Sequence, residues 1–212
     1  MLGRARLATE QAVSVVLDVG ANEGLFARRL RTDGYRGRIV SFEPLSHAFA
    51  LLALASANDT NWECLELALG RSAGRKSLNV AENWASSSFL PMEESLQKAE
   101  PRFAYIGMQD STVAALDDLA GDLLQPDDRV YLKLDVQGFE LEVLRGAEQT
   151  LDRVVALDVE LSQTELYTGA PLMGDVVGHL ADRGFELVGT EPAYRHPKTR
   201  ETLQLDGVFV RT

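Results

Sequence analysis

Five acidic segments and one basic run hold the residues whose types and spacing could do chemistry. The first is Val16-Leu17-Asp18-Val19-Gly20-Ala21-Asn22-Glu23-Gly24, which ends a strand and opens a helix. Gly20 lets the backbone approach a ligand closely, and the start of the helix offers free N–H groups. The spacing is GxxxG rather than the GxGxxG of a dinucleotide site. An acid before the first glycine would repel a pyrophosphate and suits a ligand with a positive ammonium; the alternative is a tight turn that binds nothing. In Val40-Ser41-Phe42-Glu43-Pro44, Glu43 ends the next strand, where a carboxylate can accept hydrogen bonds from both hydroxyls of a ribose. Glu66-Leu67-Ala68-Leu69-Gly70 supplies small and apolar residues, Ala68 and Leu69, that could flank an adenine, though any strand end can look like this.

The fourth segment is Leu132-Lys133-Leu134-Asp135-Val136-Gln137-Gly138-Phe139-Glu140. Asp135 ends an apolar run and should point into a cleft, unless it merely caps the following helix. Glu160, in Leu157-Asp158-Val159-Glu160-Leu161, ends the neighbouring strand, unless it only holds a loop N–H. Two carboxylates on adjacent strand ends could share a divalent cation, or one could act as a base. Glu140, one turn into the helix, reads as a structural salt-bridge or capping residue. His196 lies in the basic run Tyr194-Arg195-His196-Pro197-Lys198-Thr199-Arg200, and His47 just after the second strand; both are alternative bases. Arg195, Lys198 and Arg200 could draw an acidic acceptor toward a negative protein, or form a solvated hairpin tip.

These residues need a scaffold that brings strand ends together. The sequence predicts strands at Val15–Val19, Arg38–Glu43, Trp62–Leu69, Arg129–Val136, Val154–Leu161, Glu186–Thr190 and Leu205–Val210. Helical stretches follow Gly24 and occupy Ser46–Ala57, Phe139–Leu151 and Pro171–Gly184. Near-continuous apolar strands alternating with helices mean a parallel sheet covered on both faces. No helix separates the last two strands, so the last should run antiparallel in a doubly wound, seven-stranded α/β sheet. Ligands of such sheets sit at the carboxyl ends of the strands, near the switch point. The irregular segments Asn83–Ser111 and Pro192–Gln204 are expected to form the substrate loops, although the aromatic residues of the first could equally pack a satellite cluster.

With 212 residues, 45% hydrophobic and 25% charged, the chain fits a single globular domain over 1–212, with residues 15–161 as the binding core. Lys plus Arg is 21 against 32 for Asp plus Glu, a net charge of −11, which disfavours nucleic acid as a partner. One cysteine, Cys64, excludes an intrachain disulfide and a cysteine-based zinc site. No apolar stretch suits a membrane span and residues 1–14 do not read as a secretory signal, so a cytoplasmic location is expected.

In their order, Asp18-Val19-Gly20-Ala21-Asn22-Glu23-Gly24, Phe42-Glu43-Pro44 and Asp135-Val136-Gln137-Gly138-Phe139-Glu140, with Val143-Leu144-Arg145-Gly146-Ala147, resemble the FkbM-type methyltransferases. The closing Gly184-Phe185-Glu186-Leu187 and Asp206-Gly207-Val208-Phe209-Val210 resemble that family's end, so the likeness spans roughly residues 15–210. It implies a Rossmann-like class I fold, S-adenosylmethionine as cofactor, and methyl transfer to a hydroxyl of a sugar, glycan or natural product. Asp18, Gly20, Ala21, Asn22, Glu23 and Gly24 would then hold the methionine moiety and Glu43 the ribose. Pro44, Ala68 and Leu69 would lie near the adenine, with Asp135 and Gln137 beside the cofactor. Asp135 is the first candidate base or metal ligand, Glu160 the second and His196 a third candidate base. Gln137-Gly138-Phe139 stands where many members carry Glu-Gly-Ala, one charge fewer beside Asp135, which weakens the case for a divalent cation. Only Met1–Ser14 precedes the first strand, so a homodimer covering the cleft is a further expectation. The rival readings are a nicotinamide-dependent oxidoreductase and a non-catalytic cofactor-binding subunit.

Overall fold

The computed structural model describes residues 3–212; Met1 and Leu2, the start of the stretch read as leaderless, lie outside them. The elements run α1 (Arg4–Glu10), β1 (Val15–Val19), α2 (Leu25–Thr32), β2 (Arg38–Phe42), α3 (Ser46–Ser56), β3 (Trp62–Leu65), β4 (Ala68–Leu69) and β5 (Gly74–Ala81). Then come α4 (Glu94–Ala99), β6 (Tyr105–Ala114), α5 (Leu116–Leu123), β7 (Val130–Leu134), α6 (Glu140–Arg145), β8 (Val154–Ser162), α7 (Met173–Ala181), β9 (Phe185–Arg195) and β10 (Thr202–Arg211).

The main sheet has seven strands in the order β3-β2-β1-β7-β8-β10-β9. Its pairs from β3 to β8 are parallel, and β10 runs antiparallel between β8 and β9. This is the doubly wound sheet expected from the sequence, with the last strand reversed. The chain winds outward from β1 to β3, then returns to β7 on the other side of β1. The switch point therefore lies between β1 and β7, where a crevice must open at the carboxyl ends.

Alternation along each strand divides the core in two. Val15, Leu17, Val19, Leu132 and Leu134 face one side with Phe42, Leu157 and Phe209. Val16, Ile39, Tyr131 and Ala156 face the other, covered by α1 and α2 through Ala5, Ala8, Ala27 and Leu30. Burying each large side chain contributes about 1.5–3 kcal/mol, enough to fix the register of the central strands.

Four expectations change. The segment Pro192–Gln204, expected as an irregular loop, is the end of β9 and the start of β10, with only 196–201 between them. The predicted strand Trp62–Leu69 is two strands: the Leu67 N–H bonds back to the Leu65 carbonyl, and Ala68–Leu69 then joins a second sheet, β4-β6-β5. Within Asn83–Ser111, the last quarter, from Tyr105 on, is the start of β6 rather than loop. Its outward residues Ile106 and Met108 are exposed, and β5 carries exposed Arg75, Lys76 and Ser77, so neither strand shows the buried pattern of the main sheet. The helix predicted over Phe139–Leu151 stops at Arg145, because Gly146 runs against the backbone of Gly70.

That contact is testable. A Cβ at Gly146 would lie 2.0 Å from the Gly70 carbonyl oxygen, whereas one at Gly178 in α7 would meet nothing within 4 Å. Gly146→Ala is expected to destabilise by about 1–3 kcal/mol or more. Gly178→Ala is expected to be neutral or to stabilise by about 0.5–1 kcal/mol, both read from urea denaturation.

Candidate active site

A cavity of about 1280 Å³ opens at the carboxyl ends of β1, β2, β7 and β8, as the topology requires. One half is built by the turn from β1 to α2. Gly20 (φ +74°) and Asn22 (φ +47°) both take left-handed backbone there. A Cβ on Gly20 would stand 1.9 Å from the Asp135 carbonyl oxygen, so only glycine lets the ends of β1 and β7 touch. The N–H groups of Gly20 and Ala21 both donate to the Phe42 carbonyl at 3.0 Å, tying this turn to the end of β2. Glu43 follows, buried yet lining the cavity, its Oε2 accepting the Asn22 N–H and its Oε1 the Leu45 N–H, each at 2.8 Å. Burial pushes its pKa up to about 7, a shift these two amides and Lys133 oppose. Pro44, Ala68 and Leu69 form the adjoining wall.

Beneath the cavity a polar row crosses four strands. Ser41, Asp18, Lys133 and Asp158 are register neighbours on β2, β1, β7 and β8, and so point to one face. Trp62 Nε1 donates to Ser41 Oγ at 2.9 Å, and Ser41 Oγ donates to Asp18 Oδ2 at 3.2 Å. Lys133 Nζ lies 3.3 Å from Asp18 Oδ1 and donates to the Gly20 carbonyl at 2.8 Å. Enclosure pulls the Lys133 pKa down, but Asp18 and Asp135 more than offset it, leaving the ammonium above its usual range. At the far end Arg4 of α1 donates to Asp158 at 2.6 Å and pairs with Glu191, with Asp206 at 3.7 Å.

The other half of the cavity holds the two strand-end acids. Asp135 keeps 42% of its side chain exposed, 3.6 Å from Lys133 Nζ. Gln137 Nε2 donates to Asp135 Oδ1 at 2.9 Å and to Glu160 Oε2 at 2.8 Å, and Gln204 Nε2 adds a second bond to Glu160 Oε2 at 2.7 Å. Burial, and then the nearby Asp135, Glu140 and Asp206, raise the Glu160 pKa well above the usual carboxylate range. Glu140 Oε1 accepts the N–H groups of Val136 and Gly138, the capping role expected of it. Among the described residues, no group of three or more His, Cys, Asp or Glu side chains is placed to hold a metal ion.

Most sequence-predicted residues therefore meet in one cavity: Gly20, Ala21, Asn22, Glu23, Glu43, Pro44, Ala68, Leu69, Asp135, Gln137 and Glu160 all line it. Three do not. Asp18 is fully enclosed and committed to Lys133 and Ser41, so it supports the turn rather than facing a ligand. Gly24 is the left-handed residue before α2, packed against Leu52 and Trp62. His196 sits at the tip of the β9–β10 hairpin, its Nδ1 accepting the Lys198 and Thr199 N–H groups; it holds a turn, and neither it nor Arg195, Lys198 or Arg200 lines the cavity. His47 is likewise outside, edge-on to Trp84. Of the aromatics in Asn83–Ser111, Trp84, Phe89 and Phe103 line the cavity and also pack satellite clusters. Lys133, Tyr167, Gln204 and Arg4 are site residues that sequence reading passed over.

The family model described as Methyltransferase FkbM domain matches residues 18–187. The chain belongs to the FkbM methyltransferase family. It is 27% identical over 194 residues to the methyltransferase sdnD of Sordaria araneosa, covering 81% of this chain and 73% of that protein. It is 26% identical over 190 residues to the 2-O-methyltransferase NoeI of Sinorhizobium fredii (strain NBRC 101917 / NGR234), covering 86% and 76%. Among solved structures it is similar to the ribosomal protein L11 methylase of Lactobacillus delbrueckii subsp. bulgaricus, with TM-score 0.51 and 11% identity over 98% of this chain and 77% of that one, a likeness of fold alone. No helix among the described residues is long and apolar enough to cross a membrane.

Two predictions follow from the electrostatics of this FkbM-family methyltransferase. Lys133→Met strands the Asp18 carboxylate without a counter-charge and should cost about 3–5 kcal/mol. Adding Asp18→Asn should restore most of that loss, a coupling readable in a double-mutant cycle. Glu43 and Glu140 are both raised by burial to about 7 in the folded protein. The native state then holds protons that the unfolded chain has released, so stability falls as pH rises from about 4.5 to about 7. Calorimetric scans should show a Tm several degrees lower at about pH 7.5 than at about pH 5.5, and Glu43→Gln should lessen the difference.

Proposed function

We propose that this methyltransferase takes S-adenosylmethionine as cofactor and methylates a hydroxyl oxygen on a sugar, glycan or natural-product small molecule. The observation that carries the reading is one cavity holding the Gly20 turn and Glu43 on one side and the paired acids Asp135 and Glu160 on the other. Its residues fit the cofactor. Gly20 lines the cavity at the turn it packs against the end of β7, and each Glu43 oxygen accepts a single N–H, leaving capacity for two ribose hydroxyls.

The turn Gly20–Glu23 would hold the amino-acid portion, Glu43 the ribose, and Pro44, Ala68 and Leu69 the adenine. Bound there, the cofactor supplies a methyl group already activated on a sulfonium sulfur. What remains for the protein is to align the acceptor oxygen, take its proton and exclude water. Asp135 takes the proton: it is the strand-end acid that keeps open access to the cavity, and the Lys133 ammonium lies beside it. Glu160, more enclosed and bonded by two amides, stands behind it. Trp84, Phe89 and Phe103 cover the cavity and limit water.

The reading predicts that the purified protein binds S-adenosylhomocysteine with a Kd of roughly 1–100 μM in titration calorimetry, with no heat from NAD. Glu43→Gln should weaken that binding at least about tenfold while the fold persists. A folded wild-type protein that ignores S-adenosylhomocysteine would remove the cofactor assignment; binding without transfer to any acceptor would favour a binding subunit.

A further inference from the structure

Gln137 stands at φ +53°, a left-handed conformation that costs a residue with a side chain about 1 kcal/mol. The surroundings hold it there. Its backbone carbonyl accepts the Ser88 hydroxyl at 2.7 Å, and its side-chain Oε1 accepts the Tyr167 hydroxyl at 2.5 Å. Tyr167 is itself only 2% exposed, so the carboxamide is pinned in one orientation, with its NH₂ end toward the acids. That end gives one hydrogen to Asp135 Oδ1 and the other to Glu160 Oε2. A strained backbone over-determined in this way is the mark of a site that needs one geometry.

Two carboxylates on adjacent strand ends normally need a donor or a cation between them, because like charges so close repel one another. A divalent cation would meet that need, and so does an amide NH₂ that donates to both. The two differ in what they demand. A cation needs further anionic or oxygen donors; the amide needs a donor for its own oxygen, which Tyr167 provides. A cation placed between Asp135 and Glu160 would have to expel Nε2 and break the Tyr167 bond.

We propose that Gln137 is a positioning residue whose carboxamide, in place of a divalent cation, ties Asp135 to Glu160 and leaves Asp135 Oδ2 for the acceptor's proton. Among the described residues Oδ2 takes no hydrogen bond, and its nearest cation is Lys133 Nζ at 3.6 Å. The inference rests on the reading of Asp135 as proton acceptor. It adds that transfer runs without a metal because an amide occupies the metal's place. A glutamate at 137 would convert the bridge into a three-carboxylate cluster.

The test titrates Mn²⁺ alone against the full chain, followed by electron paramagnetic resonance of the free ion, with S-adenosylhomocysteine calorimetry on the same preparations. Wild type should leave the Mn²⁺ signal undiminished up to about 1 mM, and Gln137→Glu should bind Mn²⁺ at least about tenfold more tightly. Adding Glu160→Gln to that variant should abolish the site. A folded Gln137→Glu that gains no Mn²⁺ affinity overturns the proposal. So does wild-type Mn²⁺ binding that Glu160→Gln removes, an arm that stands even if Gln137→Glu fails to fold. Once an acceptor is found, wild-type transfer should persist in EDTA, and Gln137→Met should lower kcat at least about tenfold while S-adenosylhomocysteine affinity stays within about twofold. Loss of wild-type S-adenosylhomocysteine binding would instead strike the cofactor assignment, leaving the Mn²⁺ result to be read separately.

Discussion

The ion pair between Lys133 and Asp18, buried at the switch point of the sheet, is the constraint on which the site depends. Two charges in a core cost several kcal/mol each to desolvate unless each is matched, so the pair tolerates little displacement. Its polar row runs through four neighbouring strands, from Ser41 to Asp158, and is closed at either end by Trp62 and Arg4. The same ammonium bonds the Gly20 carbonyl and approaches Asp135. One buried cation therefore ties the Gly20 turn on one side of the cavity to Asp135 on the other. A shift of β7 relative to β1 would break both together.

The residues around that pair give the cavity two unlike ends. Toward β2 it is a groove of backbone, glycine and small apolar side chains, with Glu43 as its one buried acid. Toward β8 and β10 it is walled by carboxylates, amides and tyrosines: Asp135, Glu160, Asp206, Gln137, Gln204, Tyr167 and Tyr194. In the proposed reading the first takes the nucleoside and the second the hydroxyl-bearing acceptor. The second sheet and the 83–90 segment close the space from above, since Ser88 bonds Gln137 and the Tyr167 hydroxyl reaches the Ser86 carbonyl. The basic run stays at the far end of its hairpin, so charge attraction by Arg195, Lys198 and Arg200 is not part of the cavity's own chemistry.

Strand ends were readable in the sequence because an acid that terminates an apolar run has few structural uses. Glu43, Asp135 and Glu160 are of this kind, and all three line the cavity. The turn at Gly20 was readable for a similar reason, as glycine there answers a steric demand. Lys133 escaped notice because a lysine inside Tyr131-Leu132-Lys133-Leu134 says nothing until β7 is set in register against β1, which places it opposite Asp18. The same register turned Asp18 from an expected ligand contact into a buried counter-ion. From the sequence Gln137 reads as a neighbour of the cofactor with one charge fewer than a glutamate; its bonds to Tyr167 and Glu160, 30 and 23 residues away, are visible only in the fold. The second sheet was hidden by its own exposure: strands with one wet face lack the buried signature of the central ones. His196 misled because a histidine in a basic run looks reactive, whereas the turn uses its ring nitrogen as a backbone acceptor.

The central claim is that Asp135 receives a proton from a hydroxyl as a methyl group arrives on that oxygen. The most direct measurement incubates the protein with trideuteromethyl-labelled S-adenosylmethionine and a panel of sugars, glycans and polyketide-like alcohols, and follows the label by mass spectrometry. The account predicts a labelled methyl ether on at least one panel member, and at least about a hundredfold slower formation by Asp135→Asn. A labelled product formed equally fast by Asp135→Asn, or a label found on nitrogen or carbon instead of oxygen, would contradict it.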